Sequence, residues 1–263
     1  MNKIDLEHKL LKGSPLDFFG KQLHHTLIGE MVDFKYGYTI FNQILGICVL
    51  DNEKFNKISL GNGDELDGSA FWYFYFNISN ELKTQVPSFE SDGEKIFLFD
   101  IFIEFLKCLF HEEVTFNVNN GFIIGTENPI GLTDSNFHKF AELLKLRFGI
   151  DEKTNLNEDN PSNDRARALI EQRNKYREKL KKLKKGDDSD LTLTDLISIY
   201  SESAHMSPQY IYENYDMYQF NDQFNRLKIM SDYTVGIQSL LAGAKSEDVN
   251  LQHWISKIKK QEN

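Results

Sequence analysis

Apolar residues in the first 150 positions recur mainly at helical spacing. Thr26 stands ahead of Ile28, Met31 and Val32, which predicts a short helix. Residues 36–50 carry Tyr38, Phe41, Ile44 and Leu45 at intervals of 3 and 4, a second helix. Residues 71–76 are almost entirely aromatic; composition favours a strand, the flanks suit a short helix, and the reading here is helix. A longer helix is predicted over residues 93–110, where Asp100, Glu104 and Lys107 form one polar edge. That edge and the short run exclude a membrane span, which needs about 20 apolar residues.

The clearest strand signal follows. Val114, Phe116 and Val118 alternate with polar residues, Asn120-Gly121 supplies a turn, and Phe122 and Ile124 return. Asn-Gly predicts a two-residue type I′ hairpin, because both central residues of that turn need positive φ. A final helix should open at Thr133 or Asp134, present Phe137, Phe140, Leu144 and Phe148, and stop at Gly149.

Residues 151–164 are nearly devoid of apolar side chains and read as a linker. Residues 165–185 predict a solvated helix with a narrow apolar edge through Leu169, Tyr176, Leu180 and Leu183. Beyond residue 190 the pattern is helical again. Thr194-Asp195 opens one helix, Ser207-Pro208 a second, and Asp216 caps a longer one that breaks near residues 233–236. Ser246 recaps a last segment bearing Leu251, Trp254, Ile255 and Ile258. The expected fold is therefore α+β and predominantly α. An N-terminal helical domain with a β-hairpin spans residues 1–150, a charged helical linker 151–190, and a small all-α C-terminal domain 191–263. Phe220, Phe224, Leu227, Leu241, Trp254 and Ile255 are expected to build the C-terminal core.

Charge divides the chain in the same way. Residues 165–185 hold ten Lys or Arg against two acids, a local +8 within a total of −10, so the remainder carries −18. Such a segment reads as a solvated connector, a contact for an acidic partner protein, or a nucleic-acid contact. The third is disfavoured because few aromatics interleave the cations and the flanking regions are acidic. The 21 Phe and 11 Tyr supply ample core without metals or disulfides. Cys48 and Cys108, in apolar surroundings, are expected to be buried free thiols of a reducing compartment. The N-terminus, with Asp5 and Glu7 and no apolar core region, does not read as a signal peptide.

No catalytic, cofactor-binding or metal-binding residue is assigned. His24-His25 has no third ligand beside it. His111-Glu112-Glu113 lacks the second His of a zinc-protease helix, since position 115 is Thr. The acidic loop GNGDELDG, residues 61–68, does not align its carboxylates as a calcium loop requires. Phosphate-cradling loops, nucleophile elbows and dinucleotide fingerprints do not occur. The remaining candidates are tyrosines. Tyr210, Tyr212, Tyr215 and Tyr218 cluster in the C-terminal part, either filling a small core or facing a partner, with Tyr210, Tyr212 and Tyr215 the partner-facing set.

Residues 194–258, through YQFNDQFNRL (218–227) and QSLLAGAKSEDVNLQHWISKI (238–258), resemble the C-terminal part of tail assembly chaperones of long-tailed bacteriophages. The N-terminal layout of helix, hairpin and helix leading to a charged connector looks similar too. The resemblance implies a non-enzymatic protein of the host cytoplasm, absent from the finished virion and needing no cofactor. Its N-terminal domain would coat the tape measure protein, with possible self-association along it, and its C-terminal domain would recruit tail tube subunits. It also implies short and long products from ribosomal slippage near the lysine-rich connector. A structural tail or baseplate component and a nucleic-acid-associated regulator are the alternatives; neither membrane nor nucleic acid is expected as a partner of the leading reading.

Overall fold

The computed structural model describes residues 3–55, 58–59, 65–75, 89–91, 94–150, 191–243, 249, 253 and 255. The fold is α+β and predominantly α. Two compact units emerge. The first joins Met1–Ile150 with Tyr212–Gln223, and the second comprises Asp151–Ile211 and Phe224–Asn263.

The first unit is organised around the apolar helix predicted in its middle. Helices α1 (Lys3–Lys12), α2 (Ile28–Val32), α3 (Tyr38–Val49) and α4 (Ala70–Tyr75) precede it, α5 (Leu98–Phe110) is that helix, and α6 (Asp134–Phe148) follows. On α5 the side chains of Leu98, Ile101, Phe102, Phe105, Leu106, Leu109 and Phe110 are all buried. Their 3-1-3-1 spacing makes one broad stripe, and each such side chain contributes roughly 1.5–3 kcal/mol when fully buried. Phe41, Ile44, Leu45 and Cys48 of α3 and Phe137, Phe140, Leu144 and Phe148 of α6 pack into the same core. Phe74 of α4 stacks on Phe102 with centroids 3.9 Å apart, and Phe122 meets Phe102 edge-on at 4.8 Å. The aromatic run at residues 71–76 is thus helical over Ala70–Tyr75, with Ser69 Oγ accepting the Trp72 amide.

Helix α5 starts five residues later than its apolar pattern predicts. Glu94–Ile96 is a strand paired antiparallel with Phe89–Ser91 (β6 with β5), and Phe97 is extended at the helix cap. Cross-strand pairing outcompetes helix extension here. In the acidic loop, Ile58–Ser59 (β3) pairs with Glu65–Leu66 (β4), while Gly61, Gly63 and Asp64 lie outside the described residues.

The predicted hairpin forms as Val114–Asn117 (β7) against Gly121–Ile124 (β8), but its turn differs. Asn117 pairs with Gly121, leaving three loop residues; the Asn120 amide donates to the Asn117 carbonyl at 3.1 Å, and the Asn119 amide to Asn117 Oδ1 at 2.9 Å. Only Gly121 of the Asn-Gly pair has positive φ, +70°. This is a type I turn followed by a left-handed glycine rather than a type I′ turn. A Cβ at Gly121 would collide with the carbonyl oxygen of Leu132, so the glycine also admits a third strand, Ile130–Leu132 (β9), which pairs with β8. Helix α6 keeps its predicted ends: Thr133 precedes it with a capping box through Asn136, and Gly149 is left-handed at φ +65°.

A second hairpin, Leu16–Phe18 (β1) with Lys21–Leu23 (β2), is not signalled by the sequence pattern. Its two-residue turn is Phe19-Gly20, at φ +51° and +92°. Positive φ at a bulky residue costs on the order of 1–3 kcal/mol.

Helices α7 (Leu193–Ala204), α8 (Pro208–Asn214) and α9 (Met217–Leu241) follow residue 190. Thr192, two residues before the predicted start, caps α7 in a box with Asp195. Ser207 Oγ accepts the Tyr210 amide at 3.1 Å, as a Ser-Pro helix start should. Ile197 and Tyr200 of α7 and Ile211 of α8 are buried. Helix α9 runs unbroken through Gly236, where a break is predicted; glycine within a helix costs only about 1 kcal/mol. The predicted linker, the basic segment and the Ser246 helix start lie outside the described residues.

Candidate interaction surfaces

The segment Tyr212–Gln223 reaches the first unit through its own backbone. Ile28 donates its amide to the Tyr215 carbonyl at 2.9 Å, and Leu27 forms an isolated antiparallel bridge with Asp216. Gly29 lies so close that an added Cβ would stand 2.9 Å from the Tyr212 carbonyl oxygen. Asp216 and Gln219 then start α9 reciprocally. The Gln219 amide donates to Asp216 Oδ1 at 2.8 Å, and the Asp216 amide to Gln219 Oε1 at 3.0 Å. Gln219 Nε2 also donates to the Leu11 carbonyl at 2.8 Å.

Beneath this backbone contact lies a buried charge pair. Arg147 sits on the apolar face of α6, donates Nη2 to the Ser14 carbonyl, and places Nη1 3.7 Å from Asp216 Oδ2. Both side chains are 1% exposed. Burial pushes the Asp216 carboxyl above its ordinary range, opposed by the Gln219 amide and the Arg147 charge. Burial likewise lowers the Arg147 guanidinium, with Asp216 opposing. The position of Arg147, three residues after Leu144 on a stripe of buried phenylalanines, is the one sequence signal that could have revealed the pair. Its partner has no local signature.

Tyr212, Tyr215 and Tyr218 travel with this segment and are half-buried. Tyr218 packs against the first unit's core, its ring 3.8 Å from where a Cβ on Gly149 would stand. Tyr210, in the second unit, is 50% exposed and does not share that setting.

Helix α9 carries an apolar stripe, Phe220, Phe224, Leu227, Met230, Ile237 and Leu241, spaced 4, 3, 3, 7 and 4. Phe220 is fully buried, Phe224, Leu227 and Ile237 are half-buried, Met230 is 46% exposed and Leu241 84%. Among the described residues after Gln223, no hydrophobic side chain is fully buried. The C-terminal core expected from periodicity therefore fails at Leu241 and at Ile255, which is 67% exposed, while the Trp254 side chain lies outside the described residues. An unbroken helix of 25 residues, about 37 Å long, does not fold its stripe back on itself.

The histidines resolve into a stack. His24 lies parallel to His111 with centroids 4.5 Å apart and an interplanar angle of 7°. His111 is the left-handed C-cap of α5 and faces Glu30 at 3.9 Å. Burial first, then the neighbouring His111, His25 and Arg147 charges, lower the His24 pKa below 6.5, with Glu112 opposing. Among the described residues no group of three or more His, Cys, Asp or Glu is placed to hold a metal ion. Cys48 is buried, but Cys108 only partly so. Burial pushes both thiols up, Cys108 to about 11, which leaves little thiolate at neutral pH. No described helix is long and apolar enough to cross a membrane.

Residues 182–259 match the family model of the YomV second domain. YomV is a phage-derived protein, so the C-terminal part of this chain is similar to a phage domain. The match covers α7, α8 and α9, including the segment that docks on the first unit. No curated protein and no solved structure matches the chain.

Proposed function

We propose that this protein is a phage tail assembly chaperone that coats the tape measure protein, recruits tail tube subunits, and leaves before the particle is finished. On this reading it acts in the host cytoplasm by binding polypeptides and transforms no substrate.

The observation that carries the reading is the similarity of residues 182–259 to a domain of a phage-derived protein. The physical support is the stripe on α9, buried at Phe220 and open at Met230 and Leu241. An apolar edge at helical spacing can be covered by an apolar stripe of another helix. On this reading the α9 stripe serves tail tube recruitment, while repeated weak grips of the N-terminal part along a very long helical tape measure protein would multiply through effective concentration. The acidic balance of −10 would keep such a coat soluble.

Co-expression with the longest helix-rich tail protein of the same phage tests the reading. The tail protein should stay soluble and co-purify with this chain; precipitation in its presence as in its absence would refute the assignment.

A further inference from the structure

The β1–β2 turn carries an apolar side chain that is mostly exposed. Leu16, Phe18 and Leu23 fill the core side of the hairpin, whereas Phe19 at the turn is 57% exposed and only leans edge-on against Phe18 at 5.0 Å. The turn itself is closed by Asp17 Oδ1, which accepts the Gly20 amide at 3.1 Å. Both turn residues have positive φ, a geometry that favours Asn or Gly where this chain has Phe.

Phe19 borders a cleft of about 680 Å³, within the rough 300–1,000 Å³ range of ligand sites. Asn128, Pro129 and Ile130 also line it. Two lining residues form an ion pair, Lys21 Nζ to Glu112 Oε2 at 2.6 Å, with Lys21 also donating to the Glu127 carbonyl at 2.8 Å. It is built against bare backbone, because a Cβ on Gly125 would collide with both Lys21 Nζ and Glu112 Oε2. Lys21 is thereby spent: its side chain is 8% exposed. The other charges at the cleft are acidic. Glu112 keeps a third of its side chain exposed, and Glu127 is exposed. Strand β2, which lends Lys21 and Gln22 to the lining, pairs with β1 alone among the described strands.

We infer that this cleft binds a short extended segment of a partner polypeptide in which an apolar side chain stands beside Lys or Arg. Phe19, Pro129 and Ile130 take the apolar group, and the carboxylates of Glu112 and Glu127 take the cation; the aromatic face adds a cation–π contact. The inference deepens the polypeptide-binding reading above and rests on it, but locates a contact in the first unit, remote in sequence from the α9 stripe.

The test uses the full chain and the acetylated, amidated hexapeptide Gly-Lys-Leu-Arg-Leu-Gly, with a counterpart carrying Glu at both cationic positions. In isothermal titration the basic peptide should bind at least roughly tenfold more tightly than the acidic one. Phe19→Gly should weaken it by a similar factor without lowering the melting temperature, since glycine is at ease at positive φ. Glu127→Lys should weaken it as well. Equal binding of the two peptides, no binding of either, or full binding by Phe19→Gly would overturn the inference. If Phe19→Gly still captures the tail protein, the cleft is not a grip for it, yet the chaperone reading survives; only failure of the parent chain to capture it bears on that reading.

Discussion

Arg147 and Asp216 face each other at 3.7 Å, each 1% exposed, although one belongs to the N-terminal helix α6 and the other to the segment that opens α9. The pair ties Tyr212–Gln223 to the first unit. Asp216→Asn keeps the helix cap, because Asn caps as well as Asp, yet removes the charge opposite a buried guanidinium. The expected cost is about 3–5 kcal/mol, visible as a lower midpoint in urea unfolding. Replacing both residues by apolar ones of similar volume should cost much less. A single mutant as stable as the parent would mean that the pair does not hold the segment.

Gly29 should matter for the same joint. Gly29→Ala sets a methyl 2.9 Å from the Tyr212 carbonyl oxygen, where backbone cannot yield cheaply. A loss of about 1–3 kcal/mol is expected. Amide exchange at residues 212–223 should accelerate more than exchange in α5. Uniform protection in the variant would count against close docking.

These two joints leave no local pattern in the sequence. Helix α6 was legible because its apolar stripe, its Thr133 cap and its Gly149 stop all agree locally. Ser207-Pro208 and Asp216 were legible as helix starts for the same reason. Strand β9, the β1–β2 hairpin and the strand at Glu94–Ile96 are three-residue elements, too short for alternation to register. The membership of Tyr212–Gln223 in the first unit depends on Leu11, Ser14, Leu27 and Arg147, distant in sequence, and periodicity does not encode such pairings. Periodicity does not encode whether an apolar stripe is covered, and Leu241 and Ile255, expected in the core, are exposed. Of the four tyrosines singled out, the structure gives three a shared setting on the docked segment and leaves Tyr210 apart.

Acid should weaken the first unit through His24. Its folded pKa lies below 6.5, so its neutral form is the one the fold accommodates. The associated stability is present above 6.5 and is lost as pH falls through the lowered value. His111→Asn removes the stacked imidazole and tolerates the left-handed cap. The drop in urea midpoint between about pH 7.5 and 5.5 should shrink in that variant relative to the parent. An identical drop would show that the stack is not the cause.

The exposed stripe on α9 should contribute to capture and not to folding. Met230→Ser and Leu241→Ser, singly, should change stability by no more than about 0.5 kcal/mol. Together they should reduce co-purification of the tail tube protein several-fold. A large fall in melting temperature would instead mean that the stripe is covered within the protein itself.

The central claim, that this chain holds other polypeptides during assembly and then departs, is most directly tested by quantitative mass spectrometry of infected cells and purified particles. Tail intermediates should contain many copies of the chain alongside the tape measure protein, and finished virions essentially none. Stoichiometric copies in the finished virion, or none in the intermediates, would contradict it.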